Sequence, residues 1–306
     1  MKNNLEMRTY VHTLQMVSDE MTLPLEEIGA RHYMVKNAKI TQRGALYPIN
    51  PNKFKGCDIL SLTELQAVLE EIREDLCIDT WAVDRQDIAV DTGTSFDALF
   101  KINKLLVSLF GIYTGRNNVV EINDAITLKR RALTVSDRRY ELYCYDKAEE
   151  SKGKYPYSRC EFRFKLLDDK SRDNIFKRLY ETLDALPKLL PIYNQLKAEA
   201  LYQRWLSESS PDCTSTPVKS LPEFFRRYAD DISTLEIAKE LHGRIAQGNF
   251  RNWIDKFRAR GNKIHFIKKT EFRAYCQAIK KSVKLYEKRL PQKGCFSEQI
   301  LGAEAA

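Results

Sequence analysis

The sequence lacks any long, uninterrupted apolar run. Its most apolar stretch, residues 105–113, is interrupted by Ser108 and Gly111. It is far shorter than the roughly 20 residues that a membrane-spanning helix needs. Residues 1–6 (MKNNLE) are mostly polar and lack the apolar centre of a secretory signal peptide. These absences predict a cytoplasmic protein without a membrane partner.

The sequence also lacks paired cysteines. Its 7 cysteines are scattered, with neither a Cys-x-x-Cys pair nor a cluster of cysteine and histidine. An odd number of irregularly spaced cysteines is typical of reduced thiols, several of them small core residues. A zinc site is therefore not expected.

Positive charge is abundant but unevenly distributed. Residues 222–290 contain 17 Lys and Arg against 8 Asp and Glu, a net charge of +9 in a chain whose total is +8. The remaining residues are thus close to neutral. A basic segment attached to a near-neutral body is typical of a protein that binds a polyanion such as nucleic acid. The alternative is a solvated basic surface that has no partner.

The first half of the chain has the pattern of an α+β domain. Capping-box spacing at 61–64 and apolar residues at helical period predict a helix there. A second helix is predicted over 95–110, with Gly111 as its stop. Strands are predicted over 79–83, 86–92, 134–145 and 157–166. This order predicts an antiparallel sheet with helices on one face, spanning residues 1–168.

The second half is predicted to be mostly helical. A helical connector, 169–206, should be broken by Pro187 and Pro191, and a Ser/Thr/Pro-rich linker follows at 207–220. Residues 221–290 resemble a basic helix-turn-helix module with a further basic helix from about 270 to 290, and 291–306 resemble a tail. An ordinary pair of packed helices remains the alternative. The predicted DNA-binding side chains are Arg251, Asn252, Lys256, Arg258, Lys268 and Lys269.

Two of the predicted strands carry chemical groups on one face. Side chains alternate across a strand, so Asp87 and Asp91 share a face with the small Ala89 between them. In the strand over 157–166, Arg159 and Glu161 lie opposite an apolar face. If the preceding strand forms an antiparallel hairpin with it, Tyr145 lies across from the region of Arg159 and Glu161. An oxygen nucleophile, cations and metal-binding carboxylates on one exposed face are what phosphodiester transesterification requires. Solvated charged faces are the alternative.

These motifs resemble those of the rolling-circle replication initiators of small Gram-positive plasmids, relatives of mobile-element relaxases. The family has an R-x-D-x-A-x-D strand, a [YN]-[DN]-K-x-x-E tyrosine motif and an R-x-E-[IFL] strand. Here they correspond to 85–91 (RQDIAVD), 145–150 (YDKAEE) and 159–165 (RCEFRFK), with NPNK at 50–53 upstream. The match covers about a third of the chain. The stretch before the tyrosine, SDRRY at 136–140, lacks the glycine that the family has.

The resemblance implies a role for each matching residue. Tyr145 would attack a scissile phosphate and leave a 5′-phosphotyrosine and a free 3′-hydroxyl primer. Lys147 and Arg159 would hold the phosphate, Arg159 through a bidentate fork, and Glu149 would ligate metal or accept the tyrosine proton. The implied metal ligands are Asp87, Glu161 and, less directly, Asp91. Because no His-hydrophobe-His pair is present, we expect Mg²⁺ or Mn²⁺ on carboxylates.

The predicted function is therefore initiation of rolling-circle replication by nicking origin DNA, both as duplex and at a single-stranded nick site. The family implies a host helicase as partner and a homodimer. Two other classes stay open: a DNA-binding regulator on the same scaffold that does not nick, and an RNA- or single-strand-binding protein without a covalent step. The nickase requires Tyr145, Asp87 and Glu161 to meet on one exposed patch.

Overall fold

The structure is a computed structural model of the 306-residue chain. The described residues are 6–19, 23–24, 26–28, 35, 38–42, 44–51, 62–114, 121–127, 130–136, 140–165, 175–208, 228, 233–234, 236–237, 240–241 and 267–288. The predicted positions Arg251, Asn252, Lys256 and Arg258 lie outside them. Among the described helices, none is both long and apolar enough to cross a membrane.

One antiparallel sheet organises the described part of the chain. Its eight strands are β1 (Met7–Ser18), β2 (Lys39–Thr41), β3 (Gly44–Ile49), β4 (Ala82–Thr92), β5 (Glu121–Thr127), β6 (Arg130–Ser136), β7 (Tyr140–Asp146) and β8 (Ser158–Lys165). They are arranged in the order β2-β3-β1-β4-β8-β7-β6-β5. Strands β1, β4, β8 and β7 therefore lie side by side at the centre.

Five described helices accompany the sheet. They are α1 (Leu62–Asp75), α2 (Phe96–Thr114), the single turn α3 (Lys147–Glu150), α4 (Ile175–Glu208) and α5 (Lys269–Glu287). The long helices α2, α4 and α5 share one apolar core with the sheet, and Phe110 of α2 contacts Phe162 of β8 with ring centroids 5.7 Å apart. The predicted α+β class with an antiparallel sheet and a helical C-terminal region is confirmed.

Three of the predicted element boundaries are wrong. One strand, β4, replaces the predicted pair over 79–92, and the predicted strand over 134–145 is divided between β6 and β7. Helix α2 continues through Gly111 to Thr114, because Ile112 extends its buried stripe. The short-range signal of a glycine is thus overridden by burial of the next apolar residue.

Helix α4 is also longer than predicted, since it runs through both Pro187 and Pro191. A proline inside a helix removes one backbone hydrogen bond and crowds the preceding turn. Here the neighbouring side chains Leu186, Leu189 and Leu190 are fully buried. Their burial offsets the cost, as tertiary packing contributes most of the stability of helices in proteins.

Helix α5 confirms the predicted basic helix near 270–290 and packs directly on the N-terminal half of the chain. The Thr9 hydroxyl of β1 lies 2.6 Å from the Ser282 hydroxyl of α5, and Phe272 and Ile279 are fully buried in the common core. This end of the proposed C-terminal module is thus packed against the sheet. The boundaries at 168, 206 and 220 stay predictions.

Candidate tyrosine and metal site

The central strands align the predicted site residues across the sheet. The predicted hairpin of β7 and β8 is confirmed, and Tyr145 lies directly opposite Arg159. Residues of the neighbouring strand β4 lie directly opposite the same β8 residues on the other side of β8. Its cross-strand pairs with β8 are Asp91 with Arg159, Ala89 with Glu161, and Asp87 with Arg163. Because directly opposite residues share a face, these side chains all lie on the face opposite the core.

This polar face is buried. The exposed fraction is 1% for Tyr145, Asp87 and Glu161 and 3% for Arg159. The expectation of an exposed patch is therefore wrong, although the residues do converge. Alternation along a strand determines the face on which a side chain lies, but it carries no information about what covers that face.

A group that could hold a metal ion lies on three of the central strands. It consists of His12 on β1, Asp87 on β4 and Glu161 on β8, with one ligand atom from each within 4.8 Å of the others. The register of β1 against β4 shifts between Val11 and Thr13, which places His12 at a β-bulge. Bulges commonly re-aim a side chain next to a functional site.

His12 is the site residue that the sequence analysis missed. The absence of a His-hydrophobe-His pair in the sequence pointed to carboxylates alone as metal ligands. The available signal was the alternation of β1, in which Tyr10 and His12 are two residues apart and so share a face. A histidine from a separate strand completes the group instead, which corrects the expectation of an all-carboxylate site.

The donor chemistry fits a divalent cation. One imidazole nitrogen and two carboxylates suit Mn²⁺ better than Mg²⁺, which prefers oxygen ligands. The buried Oδ1 of Asp87 accepts no hydrogen bond, although Nε of Arg85 lies 3.0 Å away. Arg163 also lies over the group, with its Nε 2.8 Å from Glu161 Oε1. A cation would therefore compete with two guanidinium groups for these carboxylates.

The electrostatic environment sets the charge of each ligand. Burial lowers the pKa of His12 to about 4, so the ring is neutral and able to ligate at neutral pH. Burial raises the pKa of Asp87 to about 7, against the opposing effect of Arg85. Burial alone would also raise the pKa of Glu161, but the charges of His12 and Arg163 outweigh it and lower that pKa to about 2. Since His12 is neutral at pH 7, Arg163 is the cation that keeps Glu161 ionised there.

Asp91 lies outside the metal group and is bonded to Arg159. Nε of Arg159 donates to Asp91 Oδ1 at 2.6 Å and Nη2 donates to Oδ2 at 2.9 Å. The Tyr10 hydroxyl donates to the same Oδ2 at 2.8 Å and is also in contact with Arg159 Nη2. The guanidinium edge that was expected to grip a phosphate bidentately is thus occupied by a carboxylate. The roles that the resemblance implies for Arg159 and Asp91 stay predictions.

The Tyr145 hydroxyl lies between the candidate metal group and the ion pair of Arg159 with Asp91. It donates to Glu161 Oε2 at 3.2 Å and accepts from Arg159 Nη1 at 3.4 Å. The Arg159 guanidinium also lies 6.0 Å from the centre of the Tyr145 ring and 5.4 Å from that of Tyr10. The Tyr145 hydroxyl is thus held between the Glu161 carboxylate and the Arg159 guanidinium.

The remaining predicted residues lie at the periphery. Lys147 and Glu149 belong to α3, which begins directly after β7 with Asp146 as its N-cap. The Lys147 ammonium pairs with Glu150, and Glu149 is exposed. Lys268 and Lys269 are exposed at the start of α5. The catalytic and DNA-binding roles of these four residues stay predictions.

Comparisons with known proteins give a weak structural likeness. No protein-family model matches the chain, and no curated protein does. A solved structure, that of the rolling circle replication initiator protein from Geobacillus stearothermophilus, is similar to it with a TM-score of 0.30 and 14% identity. The match covers 76% of this chain and 98% of that one. A similarity this low carries no argument about function.

Proposed function

We propose that the protein is a metal-dependent DNA nickase that initiates rolling-circle replication, with Tyr145 as nucleophile. One observation carries the proposal. The Tyr145 hydroxyl is hydrogen-bonded both to Glu161, a member of the candidate metal group, and to Arg159. An oxygen nucleophile, a cation and metal ligands thus meet within one cluster, as phosphodiester transfer requires.

The proposed reaction is a transesterification. The Tyr145 oxygen forms a bond to phosphorus while the bond from phosphorus to the 3′ oxygen breaks. The phenol proton passes to Glu149, the acceptor that the motif implies, and returns from it to the departing 3′ oxygen. A divalent cation held by His12, Asp87 and Glu161 would neutralise charge developing on the phosphate. The products are a 5′-phosphotyrosine and a 3′-hydroxyl that can prime synthesis.

In this proposal Arg159 acts on the tyrosine and not as a phosphate clamp. Its Nε and one side of Nη2 are held by Asp91, and Tyr10 contacts the same Nη2. Nη1 is thereby directed at the Tyr145 oxygen. A fixed positive charge beside a phenol favours its ionised form. Asp91 and Tyr10 are positioning residues, since they act through Arg159.

The burial of Tyr145 contradicts the exposed patch that the nickase requires, so the proposal needs a change of conformation before cleavage. A DNA strand can reach a side chain that is 1% exposed only after the polar face opens. We therefore propose an opening step before cleavage, of the kind that limits turnover in many enzymes. Origin recognition would involve Arg251, Asn252, Lys256, Arg258, Lys268 and Lys269. A host helicase and a homodimer would complete the assembly in the cytoplasm.

A second function is favoured by the same burial. Arg85 and Arg163 already neutralise the carboxylates of Asp87 and Glu161, so the polar face forms a closed ion-pair network without metal. Such a network would suit a DNA-binding regulator that keeps the scaffold and does not nick. In that protein Tyr145 would be a buried structural residue, dispensable for DNA binding.

The deciding experiment is a cleavage assay with a single-stranded origin oligonucleotide from the replicon that carries the gene. The protein is incubated with Mn²⁺ and the products are separated by denaturing electrophoresis. A 3′ label follows the covalent adduct, and a 5′ label follows the fragment that ends in a free 3′-hydroxyl. Tyr145→Phe should abolish both signals. Tyr143→Phe is the matched control, because Tyr143 lies on the same strand and face and is half-buried.

The two functions predict different outcomes. An adduct that survives in Tyr143→Phe and disappears in Tyr145→Phe supports the nickase and its nucleophile. Binding of the duplex origin without any adduct or cleavage supports the regulator. An adduct that persists in Tyr145→Phe assigns the chemistry to another residue and overturns this site.

A further inference from the structure

Helix α5 has three distinct sectors around its circumference. At 100° per residue, its buried residues occupy one arc of about 120°. They are Phe272, Tyr275, Cys276, Ile279, Ser282, Val283 and Tyr286. A second arc of similar width carries the cations of the helix together with Thr270, Gln277 and Glu287. The third carries mostly small or apolar residues, including Ala274 and the exposed Leu285.

The cationic arc is exposed along the whole helix. Its exposed cations are Lys269, Arg273, Lys281, Lys284 and Lys288, and Lys268 adjoins them at the N-terminus. The helix is about 28 Å long at 1.5 Å per residue. Of the two acidic residues of α5, Glu271 lies outside this arc, and Glu287 lies at its edge, where it accepts a hydrogen bond from the Tyr180 hydroxyl.

The arc is poorly neutralised by the rest of the described chain. Lys280, at its margin, pairs with Asp184 of α4, and Lys284 lies 5.3 Å from the centre of the Tyr180 ring. Within the described residues, no carboxylate forms an ion pair with Arg273, Lys281 or Lys288. Uncompensated cations on one helix face raise the local potential and attract a polyanion.

We infer that this face of α5 is a docking surface for the phosphate backbone of duplex DNA. Cations four residues apart rise about 6 Å along the helix. That rise is close to the advance of two phosphates along one strand, at about 3.4 Å each. The inference rests on the proposed function for its choice of polyanion. None of Arg273, Lys281, Lys284 and Lys288 belongs to the DNA-binding set predicted from sequence.

An anionic membrane fits the surface less well. A helix that binds a membrane surface inserts its apolar face between the lipids. The apolar face of α5 is already used in the core, where Phe272 and Ile279 are fully buried. The exposed apolar side chain that remains on the helix is that of Leu285, at 52%. The exposed cationic face of α5 is therefore better suited to a regularly spaced polyanion, which it can contact through charge alone.

The docking surface is separate from the tyrosine site. Tyr275 of α5 contacts the Cys160 thiol, with its hydroxyl 3.6 Å from the sulfur. Cys160 precedes Glu161 and follows Arg159 on β8, so it lies on the opposite face of the sheet from both. Duplex held on α5 therefore lies on the helix side, away from the strand presented to Tyr145. The grip is independent of base sequence, since it uses phosphates alone.

The test compares two triple variants of the full-length protein. One is Arg273→Gln, Lys281→Gln and Lys288→Gln, which removes three cations from the docking surface. The control is Lys39→Gln, Lys101→Gln and Lys177→Gln, which removes three exposed lysines elsewhere. Binding to a labelled duplex of random sequence is measured by fluorescence anisotropy at several salt concentrations, without divalent metal. Binding to phosphatidylserine vesicles is measured in parallel.

The expected result is a loss of duplex affinity of at least about tenfold in the α5 variant at low salt. The slope of log K against log salt should become shallower by about 2.7, since each of three lost phosphate contacts contributes about 0.9. The control variant should keep both the wild-type affinity and the wild-type slope. Equal losses in the two variants, or no loss in either, overturn the surface. A loss confined to vesicles overturns DNA as its partner. None of these outcomes depends on cleavage, so failure of the nickase proposal is distinguishable.

Discussion

The two faces of strand β8 are both buried over residues 159–162 but are stabilised differently. Cys160 and Phe162 lie on the face that packs against the helices, and Arg159 and Glu161 lie on the other. All four are at most 4% exposed. The first face is stabilised by apolar burial and close packing. The second must satisfy every charge with a partner, because an unpaired buried charge is very costly.

The exposed fraction of a side chain therefore does not distinguish an apolar core residue from a candidate site residue. On the apolar face a truncation leaves a cavity, whose cost depends on lost volume. On the polar face the loss of one partner leaves another charge uncompensated, and each cluster therefore behaves as a unit. The following variants compare the two faces, from the largest expected effect on stability to the smallest.

Phe162→Ala should be the most destabilising change, because it removes a fully buried ring that contacts Phe110. The expected loss in the free energy of unfolding is about 3–5 kcal/mol. Urea denaturation monitored by circular dichroism measures it. Tyr143→Phe, on the polar face of the adjacent strand, is the control and should cost less than about 1 kcal/mol. Similar losses in both variants would contradict the assignment of the two faces.

Asp91→Asn should cost about 3 kcal/mol, since it leaves the buried Arg159 without its carboxylate. Because Asp91 lies outside the metal group, Mn²⁺ affinity measured by calorimetry should not change. Asp84→Asn is the matched control on the same strand. Asp84 is also buried and accepts a hydrogen bond from the Gln15 amide, and Asp84→Asn should likewise leave Mn²⁺ affinity unchanged. Weakened Mn²⁺ binding with little loss of stability would instead make Asp91 a metal ligand.

The metal-free polar face should show two opposing pH dependences. The folded pKa of His12, about 4, is below its ordinary 6.5, so His12 makes stability increase as pH rises from 4 to 6.5. The folded pKa of Asp87, about 7, is above its ordinary 3.8, so Asp87 makes stability decrease as pH rises from 3.8 to 7. Between pH 4 and 6.5 the two slopes, each about 1.4 kcal/mol per pH unit, should largely cancel.

Single variants should expose each slope in turn. In EDTA, Asp87→Asn should become more stable from pH 4.5 to 6.5, because the His12 dependence is no longer opposed by that of Asp87. His12→Gln should become less stable over the same window. Chemical denaturation at half-unit pH steps measures both. The double variant is the control and should again be nearly flat. Parallel profiles in the two single variants would show that these groups do not titrate as described.

His12→Gln should have the smallest effect on stability near neutral pH but a clear effect on metal binding. The ring is neutral there and partly exposed at a bulge, so the unfolding free energy should change by less than about 1 kcal/mol. Loss of its nitrogen should weaken Mn²⁺ binding by at least about tenfold in calorimetry. Tyr10→Phe is the control, since Tyr10 shares the strand and face without belonging to the metal group. Equal Mn²⁺ affinities in wild type and His12→Gln would remove His12 from the site.

Local sequence patterns predicted much of the architecture. The helical period of residues 62–75 predicted α1, and alternation predicted the face of each residue in β8 and the β7–β8 hairpin. Glycine and proline were the unreliable signals. Gly111 and Pro187 both lie inside helices, because the neighbouring apolar side chains are buried in the core. Propensity is a local term of about 1–3 kcal/mol, and burial of several large side chains exceeds it.

Side-chain alternation in the sequence is enough to predict that Tyr145, Arg159, Asp87 and Glu161 lie on the polar side of their strands, because alternation is a local property of a strand. Once these strands form one sheet, the four residues share its polar face. Which of these side chains contact one another follows from the tertiary structure. The bulge at His12 and the register of β1 bring a third ligand to the metal group, and the pairing of β4 with β8 engages Asp91 with Arg159. These contacts depend on residues far apart in the chain. Their alignment is fixed by strand order and register, which no short stretch of sequence encodes.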